Sequence, residues 1–343
     1  MSATRLKFQI AANPPQRLDK ALSRDVPEEA TLSRTRLAKL IANGHVKLNG
    51  DVATDISAKV AEADIIEISI PELCETTLIA QEIPLDILYE DLEIIVLNKR
   101  AGLVVHPAPG NRDGTLVNAL MAHCGDSLSG IGGEKRPGIV HRIDKDTSGV
   151  IVAAKSQIAH GGLAEQFKSH SVERRYLCLA HGVPYAGDAR LRGLRGIDFE
   201  AGNVMKISTR IARHRNCRKR QAVVFDGGRN AVTRTRVLEM FGNPPAISMM
   251  ECRLETGRTH QIRVHLAYAG HALIGDQVYG TRRRLPRKAF SEAVMSMVDG
   301  FSRQALHASE LGFEHPVNGK WMRFSAPVPD DMSNLAETIK SQH

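Results

Sequence analysis

The five cysteines of this 343-residue chain (Cys74, Cys124, Cys178, Cys217 and Cys252) are scattered, odd in number and without a Cys-x-x-Cys pair. That spacing speaks against a zinc ribbon and a disulfide framework. It is expected of free thiols in a reducing cytoplasm, most of them acting as small buried hydrophobes. No apolar run approaches bilayer-spanning length, and Met1 to Ala11 lack the apolar core of a signal peptide, so neither a membrane anchor nor export is expected. No glycine-rich phosphate fingerprint follows a strand, which argues against a doubly wound sheet. Ser148 has a histidine and an aspartate nearby, but the Gly-x-Ser-x-Gly elbow of a hydrolase is missing around it. His141, His260 and His265 show neither a His-x-x-x-His spacing nor a matched acid, so no metal site is expected.

What the chain does have is positive charge, unevenly placed. Lys plus Arg is 46 against 38 acids, for a net +8. Residues 1–72 are neutral, residues 73–100 carry −4, and residues 101–343 carry +12. A polyanionic partner is favoured, and nucleic acid is the commonest one. A hydrophobic content of 42% and a charged content of 24% describe a soluble globular protein, long enough for two domains.

The first domain is expected at residues 15–72. After Pro14-Pro15, Leu18, Leu22 and Val26 begin an amphipathic stretch that Pro27 interrupts. Ser33 then has the position of an N-cap for a helix from Arg34 to about Asn43, stopped by Gly44. Val46 to Leu48, Asn49-Gly50 and Asp51-Val52 predict a hairpin, because Asn-Gly supplies the positive φ angles that a tight turn needs. A further strand is expected from Ile65 to Ile70. Between Ala30 and Gly50 there is no acid, while Arg34, Arg36, Lys39 and Lys47 are present. Charge alone leaves two readings open there: a phosphate-contacting surface or a solvated helix face.

An acidic linker is expected at 73–85 and a larger domain at 86–335. Strands such as Ile94 to Leu97 alternate irregularly with helices such as Thr115 to His123 and His160 to Lys168. That order predicts an α+β domain on a mixed, largely antiparallel sheet. The segment Arg136 to Gly149 packs His141, Arg142, Asp144, Lys145, Asp146, Thr147 and Ser148 into a short loop before the apolar strand Val150 to Ala154. Further motifs are Asn98 to Pro107, Arg174 to Gly182, Gly257 to Leu266, Gly275 to Gly280, Arg303 to Ala308 and Phe313 to Pro316. The stretch 190–220, rich in Gly and Arg, is expected to be an insertion loop. The basic runs Arg210 to Arg220 and Arg282 to Lys288 are candidates for gripping a nucleic-acid backbone.

Two resemblances follow from these residues. Arg17-Leu18-Asp19, Ser33-Arg34 and Ile41 to Gly50 resemble an S4 RNA-binding domain, a small α/β unit. The motifs between about 86 and 330, in their order, resemble the RluA/RluD family of pseudouridine synthases. The resemblance implies that the chain isomerises uridine in RNA by breaking the N1–C1′ bond, rotating the uracil and rejoining it through C5. It implies that Asp144 is the essential carboxylate, that Tyr176 packs on the target uracil, that Arg263 pairs with Asp144, and that Arg142 helps displace the base. Asp276 and Tyr279 match a motif read as structural.

The residue chemistry agrees with that implication. A carboxylate must attack C1′ or remove the C2′ proton, and an arginine beside it favours the charged form and fixes its orientation. An aromatic platform and an inserting side chain suit a uridine that has left its stack. No energy source, redox carrier, metal or other cofactor is called for. RNA is the expected partner, large-subunit ribosomal RNA before transfer RNA, with a pre-ribosomal large subunit as a possible form of it. A monomer in the cytoplasm is the default. The alternative from another class is a non-catalytic RNA-binding assembly protein, which the presence together of Asp144, Tyr176 and Arg263 disfavours. Three positions depart from the family pattern: Arg100 replaces a proline, Arg174 a lysine and Ile143 a leucine.

Overall fold

The computed structural model describes residues 4–27, 30, 32, 34–70, 78–108, 110–128, 131, 137–217, 219–280 and 284–341. The expected Ser33 cap, the basic residues Arg218, Arg282 and Arg283, and the start of the expected linker lie outside them. The chain divides into two compact units, residues 1–77 and 78–343.

The first unit contains β1 (Thr4–Gln9), α1 (Leu18–Asp25), α2 (Arg34–Ala42), β2 (Val46–Leu48), β3 (Asp51–Ala53) and β4 (Ile65–Ile70). Its antiparallel sheet runs β1-β4-β2-β3. The hairpin turns at Asn49 and Gly50, with φ of 52° and 93°, the left-handed pair that Asn-Gly makes accessible. Asn49 also ties the turn to β4, accepting from the Ile65 N–H and donating to Asp64, both at 2.8 Å. Leu18, Leu22, Leu37, Ile41, Val46 and Ile66 form a fully buried core between helices and sheet. Each such side chain contributes about 1.5–3 kcal/mol. Strand β1 was not foreseen, although Leu6, Phe8 and Ile10 face the core while Arg5, Lys7 and Gln9 face solvent with a period of two.

The second unit is α+β. Its elements are β5 (Ile87–Glu90), β6 (Ile94–Lys99), α3 (Leu116–Cys124), β7 (Ser148–Ala154), α4 (Gln157–Ser169), β8 (Glu173–His181), β9 (Ile197–Glu200) and β10 (Val204–Arg213). They continue with β11 (Gln221–Val224), β12 (Arg229–Phe241), β13 (Ile247–Leu254), α5 (Gln261–Tyr268), α6 (Glu292–Gly300), β14 (Leu306–Glu314), β15 (Trp321–Ser325) and α7 (Asp330–Ser341). The eleven strands make one sheet of order β11-β10-β12-β13-β8-β14-β7-β6-β5, with β9 on β10 and β15 on β14. Every pairing is antiparallel except β14 with β7, where His307 lies opposite Ser148 and Ala308 opposite Gly149.

Helices cover both faces. On β6 and β7, Ile95, Leu97 and Ile151 pack under α3, while Val96, Val150 and Val152 pack under α4, which explains why these strands read as unbroken apolar runs. Over the central strands, Ile262 and Leu266 of α5 pack on Cys178, Ile207, Met250 and Cys252. Val294 and Val298 of α6, with Leu335 and Ile339 of α7, pack with Leu179 and Ile247.

The stretch 190–220 is corrected by the structure: it is built around two strands, β9 and β10, and is not a single insertion loop. Met205, Ile207, Thr209 and Ile211 alternate inward on β10. Lys206, Ser208 and Arg210 occupy the outward positions.

Candidate active site

The segment His141–Thr147 enters β7 and is pinned at nearly every residue. Lys99, at the end of β6 and 2% exposed, donates to the carbonyls of Arg100, Leu103 and Lys145 at 2.8, 2.9 and 2.9 Å. Burial pushes the Lys99 ammonium down to about 7, against the pull of Asp146 and Asp144. Three carbonyls offer only acceptors, so the form this site satisfies is the ammonium with its three N–H groups. From the other side Arg303 donates to the Asp146 carbonyl at 3.2 Å and Gln304 to the Thr147 hydroxyl at 3.1 Å. The Thr147 N–H closes a turn onto the Asp144 carbonyl at 3.1 Å. Asp144 therefore stands on a fixed backbone.

Its side chain meets Arg263, which the first turn of α5 carries across from 119 residues away. Arg263 Nη1 donates to Asp144 Oδ2 at 3.0 Å. The rest of the guanidinium is held by Asp276, with Nε on Oδ2 at 2.7 Å and Nη2 on Oδ1 at 3.0 Å. Asp276, whose side chain is fully buried, also accepts the N–H groups of Val278 and Tyr279 at 2.9 and 3.0 Å. Burial works to raise the Asp276 pKa, but Arg263 and the two N–H groups outweigh it and hold the carboxyl below its ordinary value. Burial likewise works against the Arg263 charge, and the two carboxylates overturn it, raising its pKa. One guanidinium thus spends two donors on a buried anchor and presents one to Asp144.

Around this pair lies a cleft of about 480 Å³, lined among others by Arg142, Tyr176, Arg229, Arg258 and His260. Tyr176, on β8 and 8% exposed, belongs to the apolar cluster with Ile143, Ile262 and Leu306. Burial pushes its phenol up to about 12, so it is a neutral ring. Tyr279 faces the Arg263 guanidinium at 5.2 Å and the Arg220 guanidinium at 5.4 Å.

The structure brings Asp144 and Arg263 into contact and places Arg142 and Tyr176 in the same cleft. Arg34, Arg36, Lys39 and Lys47 belong to the first unit, where Lys39 and Lys47 are exposed. Arg34 is partly committed: its Nη2 donates to Asp19 at 2.8 Å, and Arg17 holds the other oxygen of that carboxylate at 3.0 Å. Of the histidines weighed for a metal, His141 accepts the Val152 N–H at 3.1 Å and His265 bonds Thr209 and Thr233. His141 also stacks on Phe167 with centroids 4.4 Å apart, and burial, helped by Arg174, lowers it to about 3. His307 is a structural histidine, bonded to Ser148 at 2.9 Å and the Ala326 carbonyl at 3.1 Å, with both side chains buried away from the cleft. Lys99 and the anchoring role of Asp276 were missed. Both lie in motifs that the sequence shows, Asn98 to Pro107 and Gly275 to Gly280, but nothing in those motifs names the partners.

Residues 93–268 match the RNA pseudouridylate synthase family and residues 16–66 match the S4 domain. The chain is 46% identical over 325 residues to the ribosomal large subunit pseudouridine synthase D of Zymomonas mobilis, covering 94% of this chain and 93% of the relative. It is 42% identical to the protein of the same name from Vibrio vulnificus, covering 95% and 91%. Human RNA pseudouridylate synthase domain containing 4 shares the fold at a TM-score of 0.53 and 22% identity, covering 74% of this chain and 93% of that one. With family match, relatives and fold in agreement, the chain belongs to the RNA pseudouridylate synthases, and it carries an S4 domain ahead of the catalytic unit.

Proposed function

We propose that this pseudouridine synthase modifies uridines of large-subunit ribosomal RNA, with Asp144 as the catalytic carboxylate. The observation that carries the assignment is the Asp144–Arg263 contact at 3.0 Å, made by an arginine already locked on buried Asp276. A carboxylate so held has a fixed orientation and a cationic partner, which suit both attack at C1′ and removal of the C2′ proton. Tyr176 offers the flat apolar surface on which an unstacked uracil rests, and exposed Arg142 stands at the mouth of the cleft to fill the gap that the base leaves. Arg229 and Arg258, lining the same cleft, are placed to neutralise phosphates, and the basic turn between β10 and β11 extends that charge.

The ribosomal substrate is supported by the relatives named above, whose length this chain covers almost completely. The S4 unit supplies a second basic surface, with Arg34, Arg36, Lys39 and Lys47 as its RNA contacts. The expected domains 15–72 and 86–335, widened to take in β1 and all of α7, with a monomeric state and a cytoplasmic location, complete the reading. No helix among the described residues is long and apolar enough to cross a membrane. The test is pseudouridine mapping of total RNA from cells lacking the protein, restored with the intact chain or with Asp144→Asn. Large-subunit sites should vanish and return only with the intact chain. Loss confined to transfer RNA would overturn the substrate, and restoration by Asp144→Asn would overturn the catalytic assignment.

A further inference from the structure

His260 has a place in this site that neither the family match nor the residues already assigned explain. It precedes α5 with φ at 56°, a left-handed conformation that a non-glycine residue adopts only when its surroundings fix it. Its Nδ1 lies 2.9 Å from the Tyr279 hydroxyl, and its Nε2 lies 4.0 Å from Asp144 Oδ2. The Tyr279 oxygen is already an acceptor, because the Gln221 N–H donates to it at 2.8 Å. A hydroxyl that accepts from Gln221 can give its own proton to His260 Nδ1, and in that tautomer the imidazole proton sits on Nε2, facing Asp144. The chain of donors runs from a backbone amide of β11 through Tyr279 and His260 to the carboxylate.

Among the described residues the two groups paired with the Asp144 carboxylate, Arg263 and His260, address the same oxygen, Oδ2. Among the described residues Oδ1 carries no hydrogen bond. We propose that His260 is a positioning residue for Asp144: its Nε2–H closes on Oδ2 when the target uridine fills the cleft, so that two donors hold Oδ2 and Oδ1 is the oxygen presented to the ribose. Catalytic hydrogen bonds that are long in a free enzyme tighten in the substrate complex, and here the required movement is about 1 Å. A neutral ring suits the role. Burial lowers the His260 pKa against the pull of Asp144, with Arg263, Asp276 and Arg142 the other charges facing it, so the ring donates a hydrogen bond without giving up a proton.

This inference rests on Asp144 being the catalytic carboxylate, and the experiment separates the two. Turnover of the full chain is measured on RNA from cells lacking the protein, free and as ribosomal subunits, for the wild type and for Asp144→Asn, His260→Ala, His260→Gln, His260→Asn and Tyr279→Phe. His260→Ala should lower kcat about ten- to a hundredfold, the value of one charge-assisted hydrogen bond made in the transition state, with KM little changed. His260→Gln carries an amide N–H to where Nε2 stood and should recover part of the loss. His260→Asn suits the left-handed backbone but stops short of Asp144 and should recover none. Tyr279→Phe keeps the ring and the backbone yet releases the tautomer, so kcat should fall even if the His260 variants melt early. Wild-type kcat in a folded His260→Ala or in Tyr279→Phe, or equal recovery by Asn and Gln, would overturn the proposal. An inactive Asp144→Asn beside a fully active His260→Ala would remove only this inference; an active Asp144→Asn would remove the catalytic assignment beneath it.

Discussion

Replacing Asp276 by asparagine separates the anchor of the site from the site itself. The carboxylate is fully buried and accepts four hydrogen bonds, two from Arg263 and two from the backbone of Val278 and Tyr279. In Asp276→Asn the amide oxygen must take the Oδ1 place, where three donors converge, which leaves the NH₂ facing Arg263 Nε. One charge-assisted bond becomes a donor–donor contact and the buried guanidinium loses its counter-charge. Truncating one partner of a buried pair costs about 3–5 kcal/mol, and the contacts that asparagine keeps reduce this to about 2–4 kcal/mol. Arg263 is then free to swing from Asp144, so kcat should fall about a hundredfold or more although Asp276 touches no substrate.

Denaturant unfolding at neutral pH gives the stability term and single-turnover pseudouridine formation gives the rate. The two diverge with pH in a defined direction. The folded Asp276 pKa lies below its ordinary 3.8, so its contribution is fully present above that value and fades as pH falls below about 4. The stability gap between wild type and variant should therefore narrow in acid. A variant that unfolds within about 0.5 kcal/mol of wild type at neutral pH and turns over normally would refute the anchoring argument.

Three further outcomes follow from the same geometry. Gly149→Ala should abolish soluble expression or lower the melting temperature sharply, because φ there is 114° and a Cβ would sit 2.1 Å from the Ala308 carbonyl oxygen across the β14–β7 pairing. Lys99→Met should cost about 2–4 kcal/mol by denaturation, since three carbonyls lose their donor, and should lower kcat through a loosened Asp144 loop while leaving RNA affinity near wild type. Lys47→Ala, on an exposed face of the S4 unit, should weaken RNA binding uniformly across sequences and flatten the slope of log affinity against log salt by about 0.7–0.9.

Local chemistry was the part of the molecule legible from sequence. Asn49-Gly50 specifies its own turn, and the strand Ile65–Ile70 and the helix beginning at Arg34 carry their own periodicity. Asp144 and Arg263 could be named from their motifs, yet their 3.0 Å contact depends on how α5 lies over the sheet, which no residue near Asp144 encodes. The same holds for Asp276, whose partner is chosen by the turn after α5, and for Lys99, whose ammonium finds a carbonyl 46 positions away. Strand β10 was misread for the opposite reason: the Gly and Arg content of 190–220 hid a plain alternation of Met205, Ile207, Thr209 and Ile211. The parallel pairing of β14 with β7 is likewise a matter of sheet order, which periodicity does not carry.

That pairing has a consequence for how the enzyme comes into being. Strand β14 is inserted between β8 and β7, so until residues 306–314 are available the sheet exists as two separate halves, one bearing Asp144 and Lys99, the other Tyr176. During vectorial synthesis the reacting groups are all made long before the strand that splices their supports together, and Arg303 and Gln304, which grip the Asp144 loop, emerge just ahead of it. A chain that ends before β14 already carries Asp144, Tyr176 and Arg263 and yet lacks the strand that joins their supports.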